Sequence, residues 1–158
     1  MEKSEIEAIA RIAATEALSR RDDIVQEELD TRYHDVKLLM NNYRKLKAHY
    51  ENIEGEELEV TAICTLKHKT KLMMGHVDRM LAAYKALCSA DDNPDEMRRW
   101  RALYLRYIDP ARLTVSEIAL KLSIDRRTFF RDINRAFADM AVLLFGLEAI
   151  GTWNPRKK

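Results

Sequence analysis

Glycine and proline are scarce in this chain: four glycines and three prolines in 158 residues. So few chain breakers, among so much Leu, Ala, Glu, Lys and Arg, argue against a turn-rich β protein and for an all-α fold. No apolar run approaches the length of a membrane-spanning helix. The N-terminus is acidic and amphipathic, unlike a secretory leader. Cysteine is scarce too. Cys64 and Cys88 stand far apart without a second pair, so neither a disulfide framework nor a zinc ribbon is indicated. Together these absences predict a protein of the reducing cytoplasm, with no membrane among its partners.

Catalytic and cofactor motifs are missing as well. There is no phosphate-cradling glycine loop and no serine elbow. His34, His49, His68 and His76 are scattered along helical stretches. Cys64 and His68 are four residues apart, but two ligands do not make a metal site. Asp91, Asn93 and Asp95 alternate like the start of a calcium loop. Glu96 stands where that loop needs glycine, and Ala102 where it needs a closing glutamate. Met73, Met74 and Met80 read as core residues. The expectation is a non-enzyme with no cofactor and no metal.

What the chain does have is a polarised charge. The formal net charge is only +1, with 47% hydrophobic and 34% charged residues, enough to bury a core and stay soluble. Residues 1–60 hold nine basic and 15 acidic side chains, whereas residues 92–158 hold 13 and nine. Within 98–135 there are ten arginines and lysines against four acids. An acidic N-terminal part and a basic C-terminal part suggest two tasks. The tail Arg156-Lys157-Lys158 adds three positive charges.

Periodicity divides the chain further. A first helical stretch covers Ser4 to Arg20, with Ile6, Ile9, Ala10, Ala13 and Ala17 as a weak apolar stripe. Leu29, Val36, Tyr43 and Tyr50 then recur every seven residues, with Leu39, Leu46 and Ile53 between them, the seam of a coiled coil about 37 Å long. Glu54-Gly55-Glu56-Glu57 interrupts it. A second repeat follows through Ile63, Leu66, Thr70, Met73, Val77, Met80, Tyr84 and Leu87. Two such arms predict an antiparallel helical hairpin over residues 1–90. Ser89 to Asn93 is a polar break, after which Pro94 opens a helix marked by Met97, Trp100, Leu103, Tyr104, Tyr107 and Ile108. Asp109-Pro110 ends that helix. Residues 91–158 are expected to form the second domain.

The stretch LTVSEIALKLSIDRRTFFRDINRAF, residues 113–137, has the pattern of a helix-turn-helix. Thr114 or Ser116 can cap a short helix, with Glu117 completing a capping box. Ile118, Ala119 and Leu122 form its apolar stripe. Ser123-Ile124-Asp125 makes the turn, with Ile124 dipping inward and Asp125 capping the next helix. That helix opens with Arg126, Arg127 and Thr128, where a recognition helix meets the major groove. Arg131 and Arg135 continue the basic face, while Phe129, Ile133, Ala136, Phe137 and Met140 form the buried one. Gly146 or Gly151 should stop it. Arginine suits forked contacts to guanine and phosphate better than lysine. An ordinary helical hairpin with a solvated basic face shares much of this pattern.

The segment from Trp100 to Gly146 resembles the ArpU and RinA families of phage late-gene transcriptional regulators. The matching motifs are Leu103-Tyr104-Leu105-Arg106-Tyr107-Ile108, Leu113-Thr114 before Glu117-Ile118-Ala119, Ile124-Asp125-Arg126-Arg127-Thr128-Phe129-Phe130-Arg131, and Leu143-Leu144-Phe145-Gly146. The C-terminal part of these families is similar to the fourth region of bacterial sigma factors. The resemblance implies DNA contact by Arg126, Arg127, Thr128 and Arg131. Nothing in residues 24–90 resembles the promoter-opening region of a true sigma factor. The expected function is sequence-specific binding of double-stranded DNA by a homodimeric regulator, with RNA polymerase as a partner that the arms could hold. Two alternatives share these features: a small-terminase-like packaging subunit, which would form a ring, and a helical scaffold that binds only protein.

Overall fold

The computed structural model describes residues 3–51 and 61–146; within them the side chains of 22, 24–26, 28–29 and 61–65 are excluded. These residues form six helical elements and no strand. The expected turn at residues 54–57, the seam side chains of Leu29, Ile53 and Ile63, Cys64, Gly151 and the basic tail all lie outside the described residues. Helix α1 spans Lys3–Glu51, 49 residues and about 74 Å. The sequence reading separates Ser4–Arg20 from the heptad stretch, but the helix crosses between them unbroken. Arg20 to Asp23 holds no glycine or proline to stop it. Helix α2 spans Thr61–Ala90.

Helix α3 spans Pro94–Leu103, with Asn93 capping it through the Asp95 amide at 3.0 Å and Pro94 in the first turn. It passes into a π-helical turn, Tyr104–Ile108, that sequence reading missed. The cause is Pro110. It drives Asp109 out of the helical region, to ψ 132°, and supplies no N–H for the carbonyl of Arg106 four residues back. The Asp109 amide instead reaches the Tyr104 carbonyl at 2.8 Å, widening the last turn. Arg44 of α1 supplies the missing donor: its Nη2 donates to the carbonyls of Arg106 at 3.2 Å and Asp109 at 2.6 Å.

Helix α4 spans Val115–Leu122 and α5 spans Arg126–Phe145, where Gly146 at φ 61° ends it. One core runs through all the elements. Val36, Met40 and Tyr43 of α1 join Met74, Val77, Leu81 and Tyr84 of α2. Trp100, Ala102, Leu103, Leu105, Ile118 and the inner face of α5 complete it. The expected boundary at 90/91 falls at the end of α2, and residues from both sides of it share that core. Aromatic rings tie the sides together: Tyr33 meets Phe137 edge-on at 6.0 Å and Tyr84 meets Trp100 at 6.0 Å.

The α2 seam needs a correction. Val77 and Tyr84 are buried as expected, but Leu66, Met73 and Leu87 are exposed. Their neighbours Met74, Leu81 and Cys88 take the inner positions. The three-four spacing survives with alternate rows moved one residue along. Met73-Met74, Met80-Leu81 and Leu87-Cys88 are adjacent apolar pairs, so spacing could not choose between them. Helix α2 packs against α3 and α5 as well as α1, and that rotates the buried stripe. On α1, Met40 is similarly buried although it lies off the expected seam.

Candidate nucleic-acid interface

The site is built from two caps and a tight turn. Thr114 adopts extended backbone, and its hydroxyl oxygen accepts from the Glu117 amide at 3.3 Å. The Glu117 carboxylate in return accepts from the Thr114 amide at 2.7 Å, a complete capping box. That amide, followed by the Thr114 hydroxyl, holds the Glu117 carboxyl below its ordinary value. Ser116, the other candidate cap, lies inside α4. Helix α4 ends at Ser123 in the left-handed region, φ 55°. The Ile124 amide closes the turn by donating to the Ala119 carbonyl at 3.0 Å. Asp125 then caps α5, accepting from the Thr128 amide at 2.6 Å. That bond, then the Thr128 hydroxyl and the charges of Arg131 and Arg127, lowers the Asp125 carboxyl from its ordinary value.

Helix α5 is strongly two-faced. Phe129, Ile133, Ala136, Phe137 and Met140 are all buried. Ile118 is buried against them, and Leu122 and Ile124 pack at the edge of the same cluster. At about 100° per residue, Arg127 and Arg131 fall opposite this stripe, and both are exposed. Arg126 lies to one side, its guanidinium over the Phe130 ring at 5.5 Å from the centroid. Thr128 is half-buried at the opposite flank. Arg135 is exposed on that flank too. Four of the five expected contact residues thus lie on the first two turns, and Arg135 lies farther along. Tyr33 of α1 donates to Asn134 at 2.9 Å, so α1 closes one side of α5 beyond those turns.

A second group behind the exposed face escaped sequence reading. Asp132 is 1% exposed and accepts from Arg98 Nε at 2.7 Å and Nη2 at 3.2 Å. Arg98 also reaches Asp95 at 2.6 Å, and Arg99 pairs with Glu96. The hydrogen bond to Asp132 raises the Arg98 guanidinium above its ordinary value. This clamp fastens α3 to α5. A signal was present: Asp132 stands among the apolar positions 129, 133 and 136, and an acid there needs a buried cation.

Among the described residues no three His, Cys, Asp or Glu side chains converge on a point, and no helix is long and apolar enough to cross a membrane. Comparison with known proteins returns no match: no family model fits the chain, and no curated protein or solved structure is similar to it.

Proposed function

We propose that the chain is a sequence-specific DNA-binding transcriptional regulator of phage or prophage late genes. In this reading α4, the Ser123–Asp125 turn and α5 act as a helix-turn-helix. The observation that carries it is the division of α5: Arg127 and Arg131 stand exposed on its first two turns, while Phe129 and Ile133 anchor the opposite side. A cap at Asp125 and a buried anchor hold those arginines on a rigid element, which forked contacts to guanine require. Arg126 and Arg135, at the flanks, would hold phosphates, and Thr128 lies at the groove edge. The late-gene role rests on the resemblance to the ArpU and RinA families.

One helix-turn-helix covers few base pairs, so a second copy is part of the proposal. The two arms of the expected hairpin would supply the contact, or would hold RNA polymerase. Every residue from Lys3 to Arg21 is exposed, about 28 Å of helix carrying Ile6, Ile9, Ile12 and Leu18 uncovered among the described residues. Apolar surface of this extent suits pairing between copies.

Selection of bound duplexes from a random pool tests the central claim. An enriched motif that Arg127→Ala or Arg131→Ala relaxes at one position supports it. A folded protein that enriches no sequence, and holds no duplex at low salt, would leave the protein-only scaffold. A ring of eight to twelve copies in solution, by mass, would favour the packaging subunit instead.

A further inference from the structure

A cleft of about 270 Å³ lies between α1, the π-helical turn and the loop that leads into α4. Met40 and Tyr107 contribute to its wall, and four cations line it: Arg44, Lys45, Arg106 and Arg112. No acid lines it. Residues more than 60 positions apart in sequence thus bring like charges together, which is unfavourable without an anion. The carboxylate of Asp109, whose charge acts on Arg44, is engaged locally: its Oδ1 accepts from the Ala111 amide at 2.8 Å.

The fold holds two of these cations, Arg44 and Arg106, in place. The Arg44 guanidinium is anchored through Nη2 to the Arg106 and Asp109 carbonyls, and its Nε is buried without an acceptor. An idle buried donor is costly unless something supplies an oxygen. Arg106 is steadied by the Leu113 carbonyl at 3.3 Å. Arg112 sits in the left-handed region at φ 51°, an uncommon conformation for a side chain of its size. Burial, and then the charges of Arg112 and Arg106, push the Arg44 guanidinium down from its ordinary value against the pull of Asp109.

We propose that this cleft is an oxyanion site that takes a phosphate group, held by Arg44 and Arg112 with Lys45 and Arg106 completing the field. Guanidinium donors match phosphate oxygens in geometry as well as charge. The volume leaves room for the group and several waters, each water's share of liquid being about 30 Å³. The phosphate can come from a small phosphorylated molecule or from the backbone of a DNA duplex.

Inorganic phosphate, titrated into the full chain against chloride at matched ionic strength, is the direct test. Saturable binding is expected by calorimetry, with a matching rise in melting temperature. Lys45→Gln and Arg112→Gln alter exposed side chains, so the fold should persist, and each should weaken phosphate binding by about tenfold. Arg127→Ala, on α5, should leave it unchanged. No saturable response above chloride overturns the proposal, and so does wild-type affinity in both cleft variants. A second arm, which rests on the DNA-binding reading, separates the sources. If saturating phosphate lowers duplex affinity in the wild type but not in Arg112→Gln, the duplex backbone occupies the cleft. If duplex affinity is unmoved, a small phosphorylated molecule does. Should the chain bind no duplex at all, the first arm still decides the phosphate site.

Discussion

Asp132 shows how much one side chain can decide. It is buried, and two arginines of α3 converge on it, one hydrogen-bonded and one, Arg99, with Nε at 3.8 Å. Asp132→Ala would leave Arg98 and Arg99 only their more exposed partners, Asp95 and Glu96. Removing one partner of a buried pair typically costs about 3–5 kcal/mol, and partial exposure of Arg98 places this case near the lower end. Urea unfolding would check it, and a loss under about 1 kcal/mol would mean that water already satisfies Arg98. Phe129 makes a contrasting case. Its ring is 1% exposed, so Phe129→Ala should cost about 3–5 kcal/mol through the cavity it leaves. Arg127 and Arg131 should behave differently again: alanine at either leaves stability near wild type and removes about 1–3 kcal/mol of discrimination at one base pair. If both variants are folded and keep the wild-type preference, the reading face has been misassigned.

At the scale of elements, the caps define α4 and α5. Thr114→Ala removes the acceptor of the Glu117 amide and should cost about 0.5–2 kcal/mol, read by thermal unfolding. The caps also set an acid response. Glu117 and Asp125 both have carboxyls lowered from ordinary values of 4.5 and 3.8. A depressed folded pKa means that the contribution is present above the unfolded value and is lost as pH falls through the folded one. Stability carried by α4 and α5 should therefore decline only below about pH 4.5, and Asp125→Asn should flatten part of that decline. An identical acid profile in that variant would show that Asp125 is not a source of it. The capping box, the turn and the stop at Gly146 were all legible in sequence, because each depends on residues within a few positions of one another. The π-helical turn was not read, although Pro110 was its visible cause. Its consequence, two carbonyls waiting for Arg44, needs an element 60 residues away.

At the scale of the molecule, the proposed association with DNA and with a second copy would rest on charge and exposed apolar surface. Counterion release gives a slope of about −0.9 in log affinity against log salt for each phosphate neutralised. Two phosphate contacts per copy, from Arg126 and Arg135, would give a slope of about −2 for each copy bound. A flat response between low and moderate salt would exclude the basic face as a docking surface. Self-association is tested on the exposed arm. Ile9 is 59% and Ile12 63% exposed, so Ile9→Glu with Ile12→Glu should yield a folded monomer. Val77 would be a poor choice because it is 2% exposed, and a charge there would unfold the core. A wild-type chain that stays monomeric at high concentration would remove the dimer from the proposal.

The sequence by itself determined that the described chain is helical, that helices open at Pro94 and just after Asp125, that Pro110 ends the helical run before it, and which face of α5 is apolar. Those properties follow from local hydrogen bonding and from a periodicity that a single helix imposes. Its acid in the apolar stripe pointed to a buried pair without naming the partner. Tertiary structure alone decided which of the adjacent apolar residues of α2 turns inward, since a helix that packs on three others buries a stripe set by their positions. It also decided that Arg98 and Arg99 meet Asp132, and that Arg44, Lys45, Arg106 and Arg112 share one cleft. Contacts between distant segments leave no periodic trace, because their spacing is set by how whole helices cross.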